Sequence, residues 1–323
     1  MVWRETAFAS RLGLRLPIVQ APMAGGPSTP ELAVAVSNAG GLGSIAGAML
    51  PPDDLRGMIR QVRAATDAPF AVNLFAPLPA PSSRGVEQWS RLTGVSRPAP
   101  TVPRFADQLA VVVAERVPVF TFTFGIPALT GFEGLTMGTA TSVAEAVALE
   151  RAGVDVVVAQ GYEAGGHRGT FLEPVDRSLI GTLVLVPRVV DAVSVPVVAA
   201  GGIMDGRAIA AALALGAQAV QLGTAFLNCP EAGTNPAHRR ALEQDTTVTR
   251  VLTGRHARAV HTPLVDRLER SGLEPPDYPL PRSLSPEPPM LVGQGGPMAR
   301  SVPAAELLAT LEAETDAAVA RLA

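Results

Sequence analysis

Short apolar runs alternate with amphipathic stretches between residues 17 and 222 of the chain. The runs are rich in Val, Leu and Ala and do not alternate polar with apolar residues. This is typical of strands that are buried on both faces of a parallel sheet. The pattern predicts strands at residues 17–20, 42–46, 70–75, 119–124, 135–140, 154–160, 195–200 and 219–222.

The stretches between these runs predict helices. Several begin at Ser, Thr or Asp and end next to Gly, which are the residue types that cap helices. The clearest predicted helices are residues 29–38, 53–65, 105–115, 142–152 and 205–215. Repeated strand–helix units imply parallel pairing with right-handed crossovers, and eight of them close most simply as a barrel. We therefore predict an α/β fold of the (β/α)8 TIM-barrel type.

Two segments depart from this repeat. Residues 76–103 are rich in Pro and Ser and predict an insertion between the third strand and its helix. Residues 229–323 predict an extension that packs on the barrel of residues 1–228, with a Pro-rich stretch at 275–289 and a closing helix at 302–322. Both segments either cover the barrel mouth or pack peripherally. Residues 126–138, between the fourth and fifth strands, are few and predict a truncated fourth helix.

Charge and hydropathy exclude several function classes. The net charge of -3 argues against a nucleic-acid partner, for which a clustered basic surface is expected. No apolar run approaches the roughly 20 residues that span a membrane, and the first 15 residues lack the apolar core of a signal peptide. The pattern therefore predicts a cytoplasmic protein with no membrane partner.

The reactive residue types narrow the chemistry further. All 26 basic residues are arginine, so the chain can form neither a lysine Schiff base nor a standard phosphate-binding P-loop. Cys229 is the only cysteine, which leaves no intrachain disulfide, and no motif ties it to a histidine as a nucleophile. No metal site is predicted.

Chemistry in a TIM barrel lies at the carboxyl ends of the strands, and this chain places polar and glycine-rich groups there. Glycine turns follow the seventh and eighth strands, where backbone amides can hold a phosphate without any lysine. Asn73 and Gln160 offer paired donors and acceptors to a planar heterocycle, and Met23 can lie against its face or simply fill the core. Together these groups predict an FMN site. The predicted cofactor residues are Ala21, Pro22, Met23, Asn73, Gln160, Gly165, Gly166, Ala200, Gly201, Gly202, Gln221, Gly223 and Thr224.

One imidazole stands out among the four histidines. His167 follows Gly165 and Gly166 directly after the sixth strand, where a catalytic base would sit. The other three, His238, His256 and His261, are predicted to lie on the surface or beside helices. For Arg168, two interpretations remain open: an ion pair with a neighbouring carboxylate, or a contact with the substrate.

The order and spacing of these motifs resemble the nitronate monooxygenases, formerly called 2-nitropropane dioxygenases. The resemblance runs through residues 16–227 and continues more weakly at 252–258 (LTGRHAR) and 293–295 (GQG). Its motifs are residues 20–26 (QAPMAGG), 36–43 (VSNAGGLG), 161–169 (GYEAGGHRG), 199–206 (AAGGIMDG) and 221–224 (QLGT). The EAGGHRG version of the turn resembles the mainly bacterial class of the family.

The resemblance implies an FMN enzyme that oxidises alkyl nitronates, such as propionate 3-nitronate, with O2. The products would be a carbonyl compound and nitrite or nitrate. His167 matches the family's active-site histidine, which implies that it holds the nitronate anion and takes the α-proton of a neutral nitroalkane. A homodimer is one option for the assembly.

Two other functions stay open at this point. FMN-dependent enoyl-acyl-carrier-protein reductases and NADH:quinone reductases use the same barrel and phosphate cradle with NADH as reductant. A flavin-binding module without turnover is the second alternative, although the intact His167 turn argues against it.

Overall fold

Eight parallel strands form a barrel in the computed structural model, which describes residues 3–322. Across these residues the strands are β1 Ile18–Gln20, β2 Gly43–Ala46, β3 Phe70–Phe75, β4 Val119–Thr123, β5 Leu135–Ala140, β6 Val156–Gln160, β7 Gly166–His167, β8 Val197–Ala200, β9 Ala219–Leu222, β10 Thr246–Thr249 and β11 Ala257–Val260. The barrel order is β1-β9-β8-β6-β5-β4-β3-β2. A parallel bridge between Val19 and Leu42 joins the two ends, so the predicted TIM barrel is confirmed.

Helices follow most of the barrel strands, and three of the predicted caps are used, whereas the helix predicted from Asp53 begins at Pro52 without a side-chain cap. The side chains of Thr29, Ser142 and Asp205 each accept a hydrogen bond from a backbone N–H in the first turn of the next helix. The helices are α1 Ala7–Leu12, α2 Pro30–Asn38, α3 Pro52–Ala65, α4 Val86–Thr93, α5 Phe105–Ala114, α6 Val143–Arg151, α7 Thr182–Val190, α8 Gly206–Ala214, α9 Pro236–Arg240, α10 Pro263–Arg270, α11 Leu280–Ser283 and α12 Ala304–Leu322. Short 3-10 turns lie at Val175–Ser178, Thr224–Phe226, Ala241–Glu243 and Gly296–Met298. None of the helices within residues 3–322 is long and apolar enough to cross a membrane.

The core has two layers, as expected for strands without polar–apolar alternation. Inward-facing residues such as Val19, Met137 and Val158 fill the barrel, and Phe8 of α1 packs against them. Outward-facing residues such as Val72 and Val157 pack against the surrounding helices. Burial on both faces makes these strands uniformly apolar.

The connection between β4 and β5 contains no helix, so the predicted truncated fourth helix is wrong. Pro127, Gly131 and Gly134 interrupt this short segment, and Gly131 adopts a positive φ of 79°. Phe132 instead packs against Phe120, with ring centroids 5.5 Å apart. A single aromatic ring thus covers part of the strand surface that a helix would cover.

The insertion and the extension pack on each other. Trp89 of α4 is buried against Val251, Leu264 and Leu268 from the extension. The Pro-rich segment reaches the barrel mouth, whereas the closing helix α12 packs outside the barrel against α2 and α8. β10 and β11 of the extension form an antiparallel sheet with β7. That small sheet ties the extension to the turn that carries His167.

Candidate active site

A cavity opens at the carboxyl ends of the barrel strands. The structure brings all of the predicted site residues together there: Ala21, Pro22, Met23, Asn73, Gln160, Gly165, Gly166, His167, Ala200, Gly201, Gly202, Gln221, Gly223 and Thr224 line its wall. Several other lining residues were not predicted as site residues, although Thr253 and Gly293 lie in the two weaker motifs; they include Phe75, Phe124, Thr253, Tyr278, Arg282 and Gly293. Four of these six belong to the C-terminal extension, where no barrel repeat marks a strand end.

The turns after β8 and β9 form a cradle of backbone amides. Within residues 3–322, the N–H groups of Gly202, Gly223 and Thr224 donate no hydrogen bond to protein atoms. Gly202 has a positive φ of 72°, and a Cβ at this position would lie 3.1 Å from Cβ of Glu163. Free backbone amides that line one cavity beside a short helical turn are donors suited to a phosphate. The residues present therefore fit the phosphate of a flavin nucleotide.

Glu163 lies beside this cradle and binds the first residue of α7. Its Oε2 accepts hydrogen bonds from the backbone N–H of Thr182, at 2.9 Å, and from the Thr182 hydroxyl, at 2.8 Å. The carboxylate thereby caps the start of α7, where the positive end of the helix dipole favours a negative charge. Glu163 is therefore a structural residue that joins the His167 turn to α7.

The two predicted amide side chains differ in how they are bonded. Asn73 Nδ2 donates to Thr121 Oγ1 at 2.8 Å, whereas its Oδ1 accepts no hydrogen bond from the described residues. Gln160 Nε2 donates to the carbonyl of His167 at 3.0 Å, and its Oε1 accepts from the N–H of Gly169 at 2.9 Å. Asn73 thus has an acceptor available to a ligand, while Gln160 primarily holds the turn. Their contact with a flavin ring stays a prediction.

The imidazole of His167 is enclosed by three aromatic rings. The ring centroids of Tyr278, Phe124 and Phe75 lie 5.3, 5.7 and 6.3 Å from that of the imidazole, all at steep angles. Its Nε2 lies 3.1 Å from Thr253 Oγ1. Burial, followed by the positive charges of Arg255 and Arg282, lowers the pKa of His167 to about 3. The imidazole is therefore neutral at physiological pH.

Two arginines bring positive charge to this part of the cavity. Arg255 stacks over Phe124, with its guanidinium carbon 4.1 Å from the ring centroid, and donates to the carbonyl of Thr170. Arg282 lines the cavity itself. Neither guanidinium forms a salt bridge with a carboxylate in the described part of the chain. Their charges are therefore available to attract an anion.

Neither interpretation of Arg168 is correct. The side chain is buried, does not line the cavity and forms no ion pair among the described residues. It donates to three backbone carbonyls instead, those of Gly161 at 2.6 Å, Gln160 at 3.0 Å and Ser178 at 2.7 Å. The five donors of a guanidinium allow one side chain to satisfy several carbonyls of a tight turn. Arg168 therefore holds the turn together.

His238 lies in the short helix α9, but not on the surface, so the surface position predicted for it is wrong. This side chain is buried in the cavity wall, and its Nε2 lies 3.2 Å from the carbonyl oxygen of Leu291. Later residues of the extension, Leu291 among them, cover this side chain, and the sequence around His238 does not indicate that. His261, by contrast, is exposed and lies 2.7 Å from Asp266, and His256 is half-buried.

Burial raises the pKa of Cys229 to about 12, so its thiol is protonated and unreactive at neutral pH.

Comparisons with known proteins agree on one family. The family model described as nitronate monooxygenase matches residues 9–287. A probable nitronate monooxygenase of Staphylococcus saprophyticus is 43% identical over 304 residues, which cover 87% of this chain and 85% of that protein. One from Staphylococcus haemolyticus is 42% identical over 309 residues, covering 88% and 86%.

Two solved structures are similar to this chain over nearly its whole length. The nitroalkane oxidase of Streptomyces ansochromogenes superimposes with a TM-score of 0.90 at 39% identity, covering 98% of this chain and all of that one. FabK of Thermotoga maritima superimposes with a TM-score of 0.77 at 32% identity, covering 98% of each chain. Shared fold, high coverage and a cavity built from the family's motifs leave one conclusion. The chain belongs to the nitronate monooxygenase family and is a flavin-dependent oxidoreductase.

Proposed function

We propose that this chain is an FMN-dependent nitronate monooxygenase. It oxidises alkyl nitronates, such as propionate 3-nitronate, with O2 to an aldehyde or ketone plus nitrite or nitrate. One observation carries the proposal: the neutral imidazole of His167 lines the same cavity as the free amides of Gly202, Gly223 and Thr224. A proton acceptor therefore lies beside a site with the donors for a phosphate-bearing cofactor.

The cavity wall provides a group for each part of FMN. The amides of Gly202, Gly223 and Thr224 would hold the phosphate. Asn73 Oδ1 would accept a hydrogen bond from the ring system, and Met23 would lie against its face. When bound, FMN accepts electrons from the substrate and passes them to O2.

The charges favour an anionic substrate. Arg282 in the cavity wall and Arg255 behind Phe124 lack carboxylate partners among the described residues, so their field is not neutralised locally. A nitronate carries its negative charge on the nitro oxygens and would be attracted by this field. The aromatic side chains of Phe75, Phe124 and Tyr278 shield the imidazole from water, which strengthens the attraction.

His167 would extend the reaction to neutral nitroalkanes. A neutral imidazole can accept the α-proton, while the electron pair of the C–H bond moves into the C=N bond of the nitronate. The resulting imidazolium would then hold the nitronate by a charge-assisted hydrogen bond. With a preformed nitronate, this proton transfer is unnecessary.

The test compares two reductants under anaerobic conditions. The FMN-loaded protein is mixed with propionate 3-nitronate and, separately, with NADH, and the flavin absorbance is followed before O2 is admitted. We expect the nitronate to reduce the flavin and the admission of O2 to yield nitrite or nitrate. Rapid reduction by NADH with no response to nitronate would instead support the reductase alternative. No response to either would support a non-catalytic flavin module.

A further inference from the structure

The hydroxyl of Thr253 has three partners around His167. It donates its only proton to the carbonyl of Arg255, with an O–O distance of 2.9 Å. It lies 3.1 Å from Nε2 of His167 and also accepts a long hydrogen bond of 3.4 Å from the backbone N–H of Arg255. A threonine hydroxyl has one donor and two acceptor positions, so these three contacts use it completely.

This pattern favours one of the two nitrogens of the imidazole as the protonated one. The backbone carbonyl of Arg255 can only accept, so the hydroxyl proton of Thr253 points to it. Nε2 of His167 must then donate to the hydroxyl oxygen. The opposite tautomer would turn the hydroxyl proton toward Nε2 and remove the hydrogen bond to the carbonyl of Arg255. In that tautomer the lone pair of the neutral ring is on Nδ1, which bonds to no described residue.

The contact between the two side chains is held by the fold. Thr253 is 2% exposed and lies in the connection between β10 and β11. Within that small sheet, Ala257 of β11 is the direct partner of His167 in β7. Gly254, next to Thr253, has a φ of 88°, which fixes a tight turn that a larger residue rarely adopts. His167 is therefore positioned by strand pairing, and Thr253 by the tight turn that joins the two paired strands.

We propose that Thr253 is a positioning residue that holds His167 in the tautomer protonated at Nε2, so that Nδ1 is the atom that exchanges the substrate proton. The kinetic part of this inference rests on the proposed function, whereas the tautomer does not. The α-proton of a nitroalkane moves to Nδ1, and the C–H electron pair becomes part of the nitronate. The ring is then an imidazolium that keeps its Nε2–H bond to Thr253, so no second proton movement is needed. Arg255, Arg282 and Tyr278 are the charged or titratable groups that face the ring.

The test begins with the resting FMN-loaded protein. Nitrogen NMR of the protein labelled with 15N-histidine, with the His167 signals identified by their loss in His167→Asn, reports the tautomer directly. We expect the proton on Nε2 in wild type and in Thr253→Ser, which keeps the hydroxyl. Thr253→Val, which keeps the shape but loses the hydroxyl, should show a mixture of tautomers. A wild-type ring protonated on Nδ1 would overturn the proposal.

Kinetics give a second, independent readout. For Thr253→Val we expect kcat/KM with a neutral nitroalkane to fall about tenfold, as for the loss of one hydrogen bond, and kcat/KM with preformed nitronate to change less than about threefold. Thr253→Ser should restore the nitroalkane activity. Equal losses on both substrates would overturn the positioning role. If wild type oxidises no nitronate at all, the proposed function fails. The NMR measurement would still decide the tautomer, because it does not depend on turnover.

Discussion

The side-chain amide of Gln160 is hydrogen-bonded to the backbone of His167, from Nε2 to the carbonyl oxygen at 3.0 Å. The other end of the amide accepts from the N–H of Gly169, so the last residue of β6 closes the turn that follows it. The guanidinium of Arg168 donates hydrogen bonds to the carbonyls of Gln160 and Gly161 in the same turn. The imidazole thus projects from a turn whose backbone is held by hydrogen bonds on both sides. Such a turn keeps a catalytic base in one orientation relative to its substrate.

Replacing His167 by Asn should separate the two classes of substrate. We expect kcat/KM with a neutral nitroalkane to fall by about 10² or more because the proton acceptor is lost, while preformed nitronate suffers less. FMN should be retained, because the cradle amides belong to other turns. The measurement is O2 uptake on both substrates, with flavin absorbance as the measure of cofactor content. His261→Asn is the matched control, since that histidine is exposed and bonded to Asp266. Equal activity of His167→Asn and wild type on both substrates would contradict the assigned role.

The pH dependence should reflect the lowered pKa of His167. Burial and the charges of Arg255 and Arg282 bring it to about 3, from the ordinary value of 6.5. A lowered pKa extends the neutral, proton-accepting form downward, so activity should persist between pH 5 and 6.5, where an ordinary histidine would be losing it. We expect kcat/KM for a neutral nitroalkane to be flat between about pH 5 and pH 7, because this parameter reports the free enzyme. An acid limb centred near the ordinary histidine value would show that the imidazole is not buried as described.

Gly202→Ala should weaken FMN binding. The substitution places a methyl group 3.1 Å from Glu163 Cβ and forces a side chain into a positive φ, so the amide cradle must shift. We expect the Kd for FMN, measured by flavin fluorescence on the apoprotein, to rise about tenfold or more. Gly153→Ala is the control, because Gly153 has a similar φ of 83° but open space around its Cβ. An equal loss of FMN affinity in both variants would show that backbone strain alone, and not the cradle, is responsible.

Arg168→Met should destabilise the fold rather than alter substrate affinity. Its loss removes a donor from three carbonyl groups, of which that of Gly161 keeps only a 3.2 Å hydrogen bond from the N–H of Ala164, and we expect the free energy of unfolding to fall by about 3 kcal/mol. Denaturant unfolding measures this, with Arg177→Met as the control because the Arg177 side chain is 74% exposed. The control should change stability by less than about 0.5 kcal/mol. A raised KM with unchanged stability would point instead to a substrate contact.

Local pattern was sufficient for the barrel and for the part of the cavity wall that the strand ends form. All eight barrel strands lie where the apolar runs predict them, with ends that differ by two residues at most. The reason is that a strand buried on both faces must be apolar throughout, so it is visible in the sequence as a run of consecutive apolar residues. The barrel topology then brings the carboxyl ends of its strands to one face. For this reason, residues as distant as Met23, Asn73 and Thr224 could be predicted to line one cavity.

The sequence by itself thus determined the barrel, the glycine turns and the position of His167 at a strand end. Only the tertiary structure decided what surrounds that histidine. Thr253 is 86 residues away from it, and Tyr278 and Arg282 are farther still, in a Pro-rich segment without periodicity. They reach the site because β11 pairs with β7 and carries the extension across the barrel mouth. Such a pairing depends on backbone hydrogen bonds between distant segments, which leave no mark in the order of neighbouring residues.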